Sequence, residues 1–257
     1  MKRFRRPKRV IKRECFVETK EGRVPLVLTR STGRRTLTIT VDEDARVSVA
    51  APFNMADQGI ARFLIEKADW ICGKVQEARK CRDILARRDF NDGHDFLFLG
   101  EKYKINVVER DIKRGRVSFD PGQGWSVFVP MGCTSEVRRA HVKEKILQWY
   151  RAQAQEILGG RIFHYARLIG AEPKKITVRT QKRIWGCCDF KTQTISLNWQ
   201  VILSPLRVVD YVVVHELCHL AIPNHSKRFW KKVEKVMPDF RQRRQWLKAN
   251  HLDMILP

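Results

Sequence analysis

The period of the apolar positions changes partway along the chain. Up to about residue 133, apolar and β-branched residues come in short runs broken by turn formers; beyond it they recur every three or four positions. Runs at 24–29, 36–41 and 46–50 read as strands, with Ser31-Thr32-Gly33 and the stretch 42–44 supplying turns. Residues 55–79 predict an amphipathic helix, because Ile60, Phe63, Leu64, Ile71 and Val75 fall on one face. A second β region follows. Runs 96–99 and 103–108 join across Gly100-Glu101-Lys102, and 116–119 and 125–129 pair across Pro121-Gly122-Gln123-Gly124. The two β regions look broadly alike, without a convincing internal repeat.

Helical periodicity then takes over. Thr134 or Ser135 caps a long helix running to about Leu158, which Gly159-Gly160 is expected to end, and a shorter one covers 162–168. Runs 176–179 and 194–199 read as strands. Ser204-Pro205 starts a helix that continues to about Ala221 and stops at Pro223-Asn224; two more follow, from Ser226 and over 241–250. The pattern predicts an α+β chain, with a β-hairpin-rich first half (23–133, carrying one long helix) and a helical second half (134–257).

Composition alters this little, since 43% hydrophobic residues suffice for a core. Charge alters it more. Lys and Arg total 51 against 28 Asp and Glu, a net charge of +23. Lys2, Arg3, Arg5, Arg6, Lys8, Arg9, Lys12 and Arg13 crowd the first 13 residues without an acid, so 1–22 reads as a basic disordered tail. A second cluster, nine Lys and Arg, lies in 226–250 beside Glu234 and Asp239. Such charge predicts non-specific attraction to nucleic acid, nucleotides or acidic membrane surfaces, not specific recognition. No apolar run approaches the roughly 18 residues of a membrane span, and none follows the basic amino terminus as a secretory signal requires. Seven cysteines, an odd count in a well-cored chain, point to reduced thiols and a cytoplasmic setting.

The chemistry concentrates in His215-Glu216-Leu217-Cys218-His219. Histidines four apart stack on one helix face and reach a single ion, and the glutamate beside them is placed to take a proton from a metal-activated water. Val212 to Val214, Leu217, Cys218 and Leu220 make this helix apolar on nearly every side, where polar groups need compensation. His225, six residues past His219, is the candidate third ligand, with Pro223-Asn224 making the turn; Glu234 is the alternative. Cys218 points away from the histidine face, and Cys187-Cys188 do not form a ligand pair.

The stretch 176–233 resembles the YgjP-like metallopeptidase domain, a relative of the SprT and WLM zinc-peptidase families. The resemblance rests on Trp185-Gly186 with Cys188, on Ile195-Ser196-Leu197-Asn198-Trp199, on Ser204-Pro205, on the run from Asp210 to His219, and on Pro223 to Trp230. Arg30-Ser31 and Asp69-Trp70-Ile71 extend it over most of 24–250. It implies a zincin-like second half, one Zn2+ on His215, His219 and His225, and Glu216 as general base. The family's Ser-Arg-Trp-Gly-Ser-Cys reads here with Ile184 and Cys187 at two positions, so Arg183 would stand in for the family arginine by a register shift.

The expected activity is zinc-dependent hydrolysis of a peptide or protein. In this scheme the strand 195–199 offers its edge to an extended substrate, and Tyr211, one turn before His215, donates to a developing oxyanion. Asn198, Arg183 and Arg179 are the candidate substrate-binding residues. Two other readings compete: a metal-dependent nucleoside triphosphate (UTP) pyrophosphatase, which the resemblance also implies and the surrounding arginines and lysines suit, and a nucleic-acid-binding protein with structural zinc, which an intact Glu216 disfavours.

Overall fold

A computed structural model describes residues 9–181 and 184–257. These residues form two compact units, one ending at Arg87 and the other running from Arg88 to Pro257. In the first unit, β1 (Val10–Thr19), β2 (Gly22–Ser31), β3 (Thr38–Val41) and β4 (Val47–Pro52) make a sheet of order β1-β2-β4-β3. β1 and β3 run antiparallel to their neighbours, while β2 and β4 are parallel, with Leu26 opposite Val47 and Leu28 opposite Val49. α1 (Asp57–Glu66) and α2 (Ala68–Arg87) cover one face, burying Ile60, Leu64, Ile71 and Val75 against Val17, Leu26, Leu28, Val47, Val49 and Ala51.

Strand β1 lies inside the segment whose composition predicts a disordered tail. Basic residues occupy its solvated positions and only Val17 is buried, so the charge that suggests disorder decorates an edge strand. Its order comes from pairing along its whole length with β2, from Val10 opposite Ser31 to Thr19 opposite Gly22. Residues 1–8 of the basic cluster lie outside the described residues.

The second unit begins with β5 (Asp95–Phe98), β6 (Glu101–Arg110), β7 (Arg116–Asp120) and β8 (Gly124–Pro130) in the order β5-β6-β8-β7. The long helix α3 (Ser135–Ile169) packs against β7 and β8, so Trp125, Val127 and Val129 share a core with Val142, Ile146 and Tyr150. That shared core puts the division of the chain after Arg87, where the change of periodicity had suggested residue 133. Thr134 caps α3 by accepting from the Val137 backbone N–H, and Gly170, with φ of 67°, ends it in the left-handed conformation. Gly159-Gly160 does not interrupt it. Leu158 and Ile162 on either side are both in the core, and their burial outweighs the roughly 1 kcal/mol that each mid-helix glycine costs.

Beyond α3, a three-stranded sheet of order β10-β11-β9 contains β9 (Lys175–Arg179), β10 (Gly186–Asp189) and β11 (Thr194–Asn198). A 3₁₀ turn at Trp199–Leu203 leads into α4 (Leu206–His219), followed by α5 (Lys227–Val236) and α6 (Phe240–Asn250). α4 touches α3, α5, α6, β10 and β11, which explains its all-round apolar sequence. The result is mixed α+β, with helices carrying the later part. No helix among the described residues is long and apolar enough to cross a membrane. All seven cysteines are free thiols.

Candidate metal centre

α4 brings His215 and His219 onto one face, and the chain then turns back to add a third imidazole. The helix stops where Leu220 and Ile222 donate to the carbonyls of Leu217 and Cys218. Pro223 bars continuation, and the Asn224 side-chain oxygen accepts from the Ser226 backbone N–H at 3.3 Å, returning His225 to the face just left. The three Nε2 atoms lie 3.2 Å (His215 to His219), 3.2 Å (His219 to His225) and 3.0 Å (His225 to His215) apart. Among the described residues this is where His, Cys, Asp or Glu side chains gather in metal-ligand fashion.

Whether the site suits a metal is a question of lone pairs. His219 Nδ1 lies 3.0 Å from the Ile222 carbonyl, an acceptor only, so Nδ1 carries the proton and Nε2 presents its lone pair inward. Burial, then the neighbouring His219 and His225, then the charge of Arg244, push the His215 pKa down to about 3; burial also lowers that of His219. Neutral imidazoles with converging lone pairs repel one another unless a cation sits between them, and three nitrogens at this spacing fit around one ion. The donor set therefore matches a divalent metal of the zinc type.

The rings are held by aromatic packing. Phe229 of α5, fully buried, stacks on His219 with centroids 4.3 Å apart, and Trp230 stacks on His225 at 5.5 Å. His215 Nδ1 is buried without a hydrogen-bond partner among the described residues, so contacts with Phe229 (5.0 Å) and Trp230 (5.8 Å) set the orientation of that ring. Glu234, the alternative third ligand, pairs with Arg241 at 2.6 Å and is not in the cluster. Cys218 is fully buried, its pKa pushed up to about 11 by burial, and it too lies outside.

Glu216 is buried on α4 beside the histidines, and burial pushes its carboxyl up to about 8. It lies against β10. A Cβ added to Gly186 would stand 2.7 Å from Glu216 Cγ, so the strand reaches the glutamate only because residue 186 is glycine. Cys188, two residues on along β10, has its thiol pushed up to about 11 by burial and then by the Glu216 charge. Sequence reasoning gave neither residue a role; the signal was Gly186 beside Trp185 in a short strand.

The remaining candidates are placed as follows. Tyr211 is buried one turn before His215, with ring centroids 5.8 Å apart; burial first, then Glu216, push its hydroxyl up to about 12, against the charge of Arg244. Asn198 is buried with its amide committed. Its nitrogen donates to the Gln181 carbonyl at 2.7 Å and the Ile184 carbonyl at 3.4 Å, and its oxygen accepts from the Gln200 backbone N–H. It therefore ties Gln181 and Ile184 to the end of β11. Arg179 reaches Cys187 Sγ at 3.8 Å, and strand alternation sets Cys187 on the face opposite Gly186 and Glu216. Arg183 lies outside the described residues.

The strand expected to offer its edge is corrected by topology. β11 is the central strand, paired with β10 on one side and β9 on the other, so its backbone is already hydrogen-bonded. The edge beside α4 belongs to β10.

Comparison with known proteins adds the following. A family model described as YgjP-like, metallopeptidase domain, matches residues 35–250. A solved structure described as the crystal structure of the metallopeptidase zymogen of Pyrococcus abyssi abylysin is 26% identical, over 36% of this chain and 93% of its own, with a TM-score of 0.33. No curated protein matches the chain.

Proposed function

The chain belongs to the YgjP-like metallopeptidase family, and on that premise we propose that it hydrolyses peptide bonds at a zinc centre formed by His215, His219 and His225, with Glu216 as general base. The observation that carries this reading is the meeting of three Nε2 atoms at 3.0–3.2 Å beside a buried glutamate on the same helix. When bound, the ion acidifies water, polarises the scissile carbonyl and favours the ionised form of Glu216. Glu216 accepts a proton from the attacking water and returns it to the leaving amine. Gly186 leaves room for that carboxylate against β10. The outer edge of β10 supplies backbone donors and acceptors for an extended substrate strand. Tyr211, beside His215, is the candidate donor to the developing oxyanion.

A structural zinc site has no use for a buried base, which sets this reading above a purely nucleic-acid-binding one. The test compares casein and peptide-library cleavage with pyrophosphate release from UTP, for zinc-loaded wild type and Glu216→Gln. Peptide cleavage that needs zinc and falls by about 100-fold or more in the variant is expected. Intact peptides together with zinc-dependent nucleotide turnover would replace the proposal with the pyrophosphatase reading.

A further inference from the structure

Helix α6 carries three arginines near its start, and they are not equivalent. Arg241 pairs with Glu234 at 2.6 Å, and Arg243 pairs with Asp239 at 2.9 Å while donating to the Arg207 carbonyl at 2.8 Å. Arg244 pairs with no carboxylate among the described residues. Its guanidinium instead lies over the Trp230 ring, 4.9 Å from the centroid. Trp230 in turn lies nearly parallel to His225 at 5.5 Å and to Phe240 at 5.3 Å, and it touches His215 at 5.8 Å. The indole thus holds an exposed, uncompensated cation next to the imidazole cluster. Its charge is felt inside the site, at His215 and at Tyr211.

A guanidinium lying on an aromatic face keeps its N–H edge free and pre-ordered, which suits bidentate capture of a carboxylate. We propose that Arg244 is a substrate-anchoring residue that binds a carboxylate of the peptide close to the scissile bond. The proposal rests on the peptidase reading above and names the substrate class for it. An extended peptide advances about 3.3–3.6 Å per residue, so a guanidinium one ring removed from His225 is within reach of a carboxylate one to three residues from the cleaved bond. Two sources offer that group: an Asp or Glu side chain, or the terminal α-carboxylate. Arg241 and Arg243 are already neutralised, so of the three arginines Arg244 carries the preference.

The test uses full-length, zinc-loaded protein and hexapeptides of one sequence, acetylated at the amino end, that differ in Glu or Gln at each position in turn. Each is made with a free and with an amidated carboxyl terminus. Binding is measured by calorimetry with Glu216→Gln, which reports recognition without turnover, and kcat/KM is measured with otherwise wild-type protein. Glu216→Gln should prefer at least one carboxylate peptide over its amide counterpart by about tenfold or more, the scale of a charge-assisted hydrogen bond. The preference should vanish on adding Arg244→Gln and be weakened without vanishing in Arg244→Lys, which keeps the charge and loses the fork. If the position of Glu sets the effect, the side chain is the source; if amidation of the terminus abolishes it, the α-carboxylate is. Equal affinity for acid and amide peptides, or a preference that survives Arg244→Gln, overturns the proposal. Carboxylate-selective binding that depends on Arg244, without cleavage of any peptide by wild type, would sink the peptidase reading and leave this anchor standing.

Discussion

The two units contain the same sheet and bury different things. In each, an antiparallel edge strand, two parallel central strands and a second antiparallel edge follow one order, β1-β2-β4-β3 in the first and β5-β6-β8-β7 in the second. The match extends to residues. Leu26 opposite Val47 and Leu28 opposite Val49 correspond to Ile105 opposite Trp125 and Val107 opposite Val127. Asp42 and Asp120 organise the turns before the last strand. Asp42 Oδ1 accepts from the backbone of Asp44 and Arg46, and Asp120 Oδ1 from Gly122 and Gln123. Both last strands end in proline, Pro52 and Pro130, and at the same distance beyond it α1 starts at Asp57 and α3 at Ser135. The cores then diverge. Among the described residues every buried polar side chain, namely Ser196, Asn198, Gln200, Ser204, Asp210, Glu216 and His219, belongs to the second unit. The first unit's helices meet solvent on one side, whereas α3 is covered by further elements, including β9 and α4. A repeated β scaffold builds a hydrophobic core; chemistry requires the extra layer that shuts polar groups away from water.

The sharpest way to break this contrast is to remove a ligand. His219→Ala should abolish stoichiometric metal binding, read as metal content after gel filtration, while Val49→Ala in the first unit should leave it unchanged. Retained metal in the histidine variant would unseat the triad. Next in size, Gly186→Ala should lower peptidase kcat/KM by tenfold or more with metal content intact, because the new Cβ displaces the Glu216 carboxylate by tenths of an ångström or more.

A third test uses the cost of the buried acid. In metal-free protein the Glu216 pKa, raised from 4.5 to about 8, means that the carboxyl is no burden below pH 4.5. Above it the fold loses stability steadily as pH rises toward 8, because ionisation is easier in the unfolded chain. Chelator-stripped Glu216→Gln should therefore melt close to wild type near pH 4.5 and several degrees higher at pH 8. A Tm difference that ignores pH would show that the carboxyl is not desolvated. The smallest effect tests the repeat itself: Asp42→Ala and Asp120→Ala should each cost about 1 kcal/mol by thermal unfolding, the net worth of the turn hydrogen bonds. A large loss at one and none at the other would make the likeness of the two turns superficial.

What could be read in advance was local. The helix of His215 and His219 and the return at Pro223-Asn224 to His225 follow from spacing and backbone stereochemistry within eleven residues, so the meeting of the three imidazoles was legible. Most strands of both sheets were legible from β-branched runs. Pairing partners were not. The β11 edge was misplaced because order in a sheet depends on residues far apart in sequence, and β1 was hidden because a basic edge strand and a disordered tail share a composition. The repeat escaped because identities such as Asp42 with Asp120, Ser48 with Ser126 and Pro52 with Pro130 are sparse, and the link before β7 is one residue shorter than that before β3. Asn198 looked available to substrate because its type is polar; only the fold shows each of its amide atoms engaged. Arg244 was one of nine cations in a basic segment, and only its place over Trp230, with the carboxylates beside it taken by Arg241 and Arg243, singles it out.

Helix α3, about 52 Å long at 1.5 Å per residue, carries one further consequence. Ahead of Gly159-Gly160 it packs on β7 and β8; just beyond them Arg161 grips Asp210 of α4 through two hydrogen bonds of 2.6 and 2.9 Å, and Tyr165 adds a third. Along α3 the glycine pair thus lies between the part that packs on the sheet and the part that grips α4. Nothing within 4 Å faces either glycine, so the joint is soft by choice of residue and not by lack of room. Amide hydrogens in the turn after Gly160 should exchange faster than those a turn earlier, and alanine at either glycine should slow that exchange while leaving all three histidines in place.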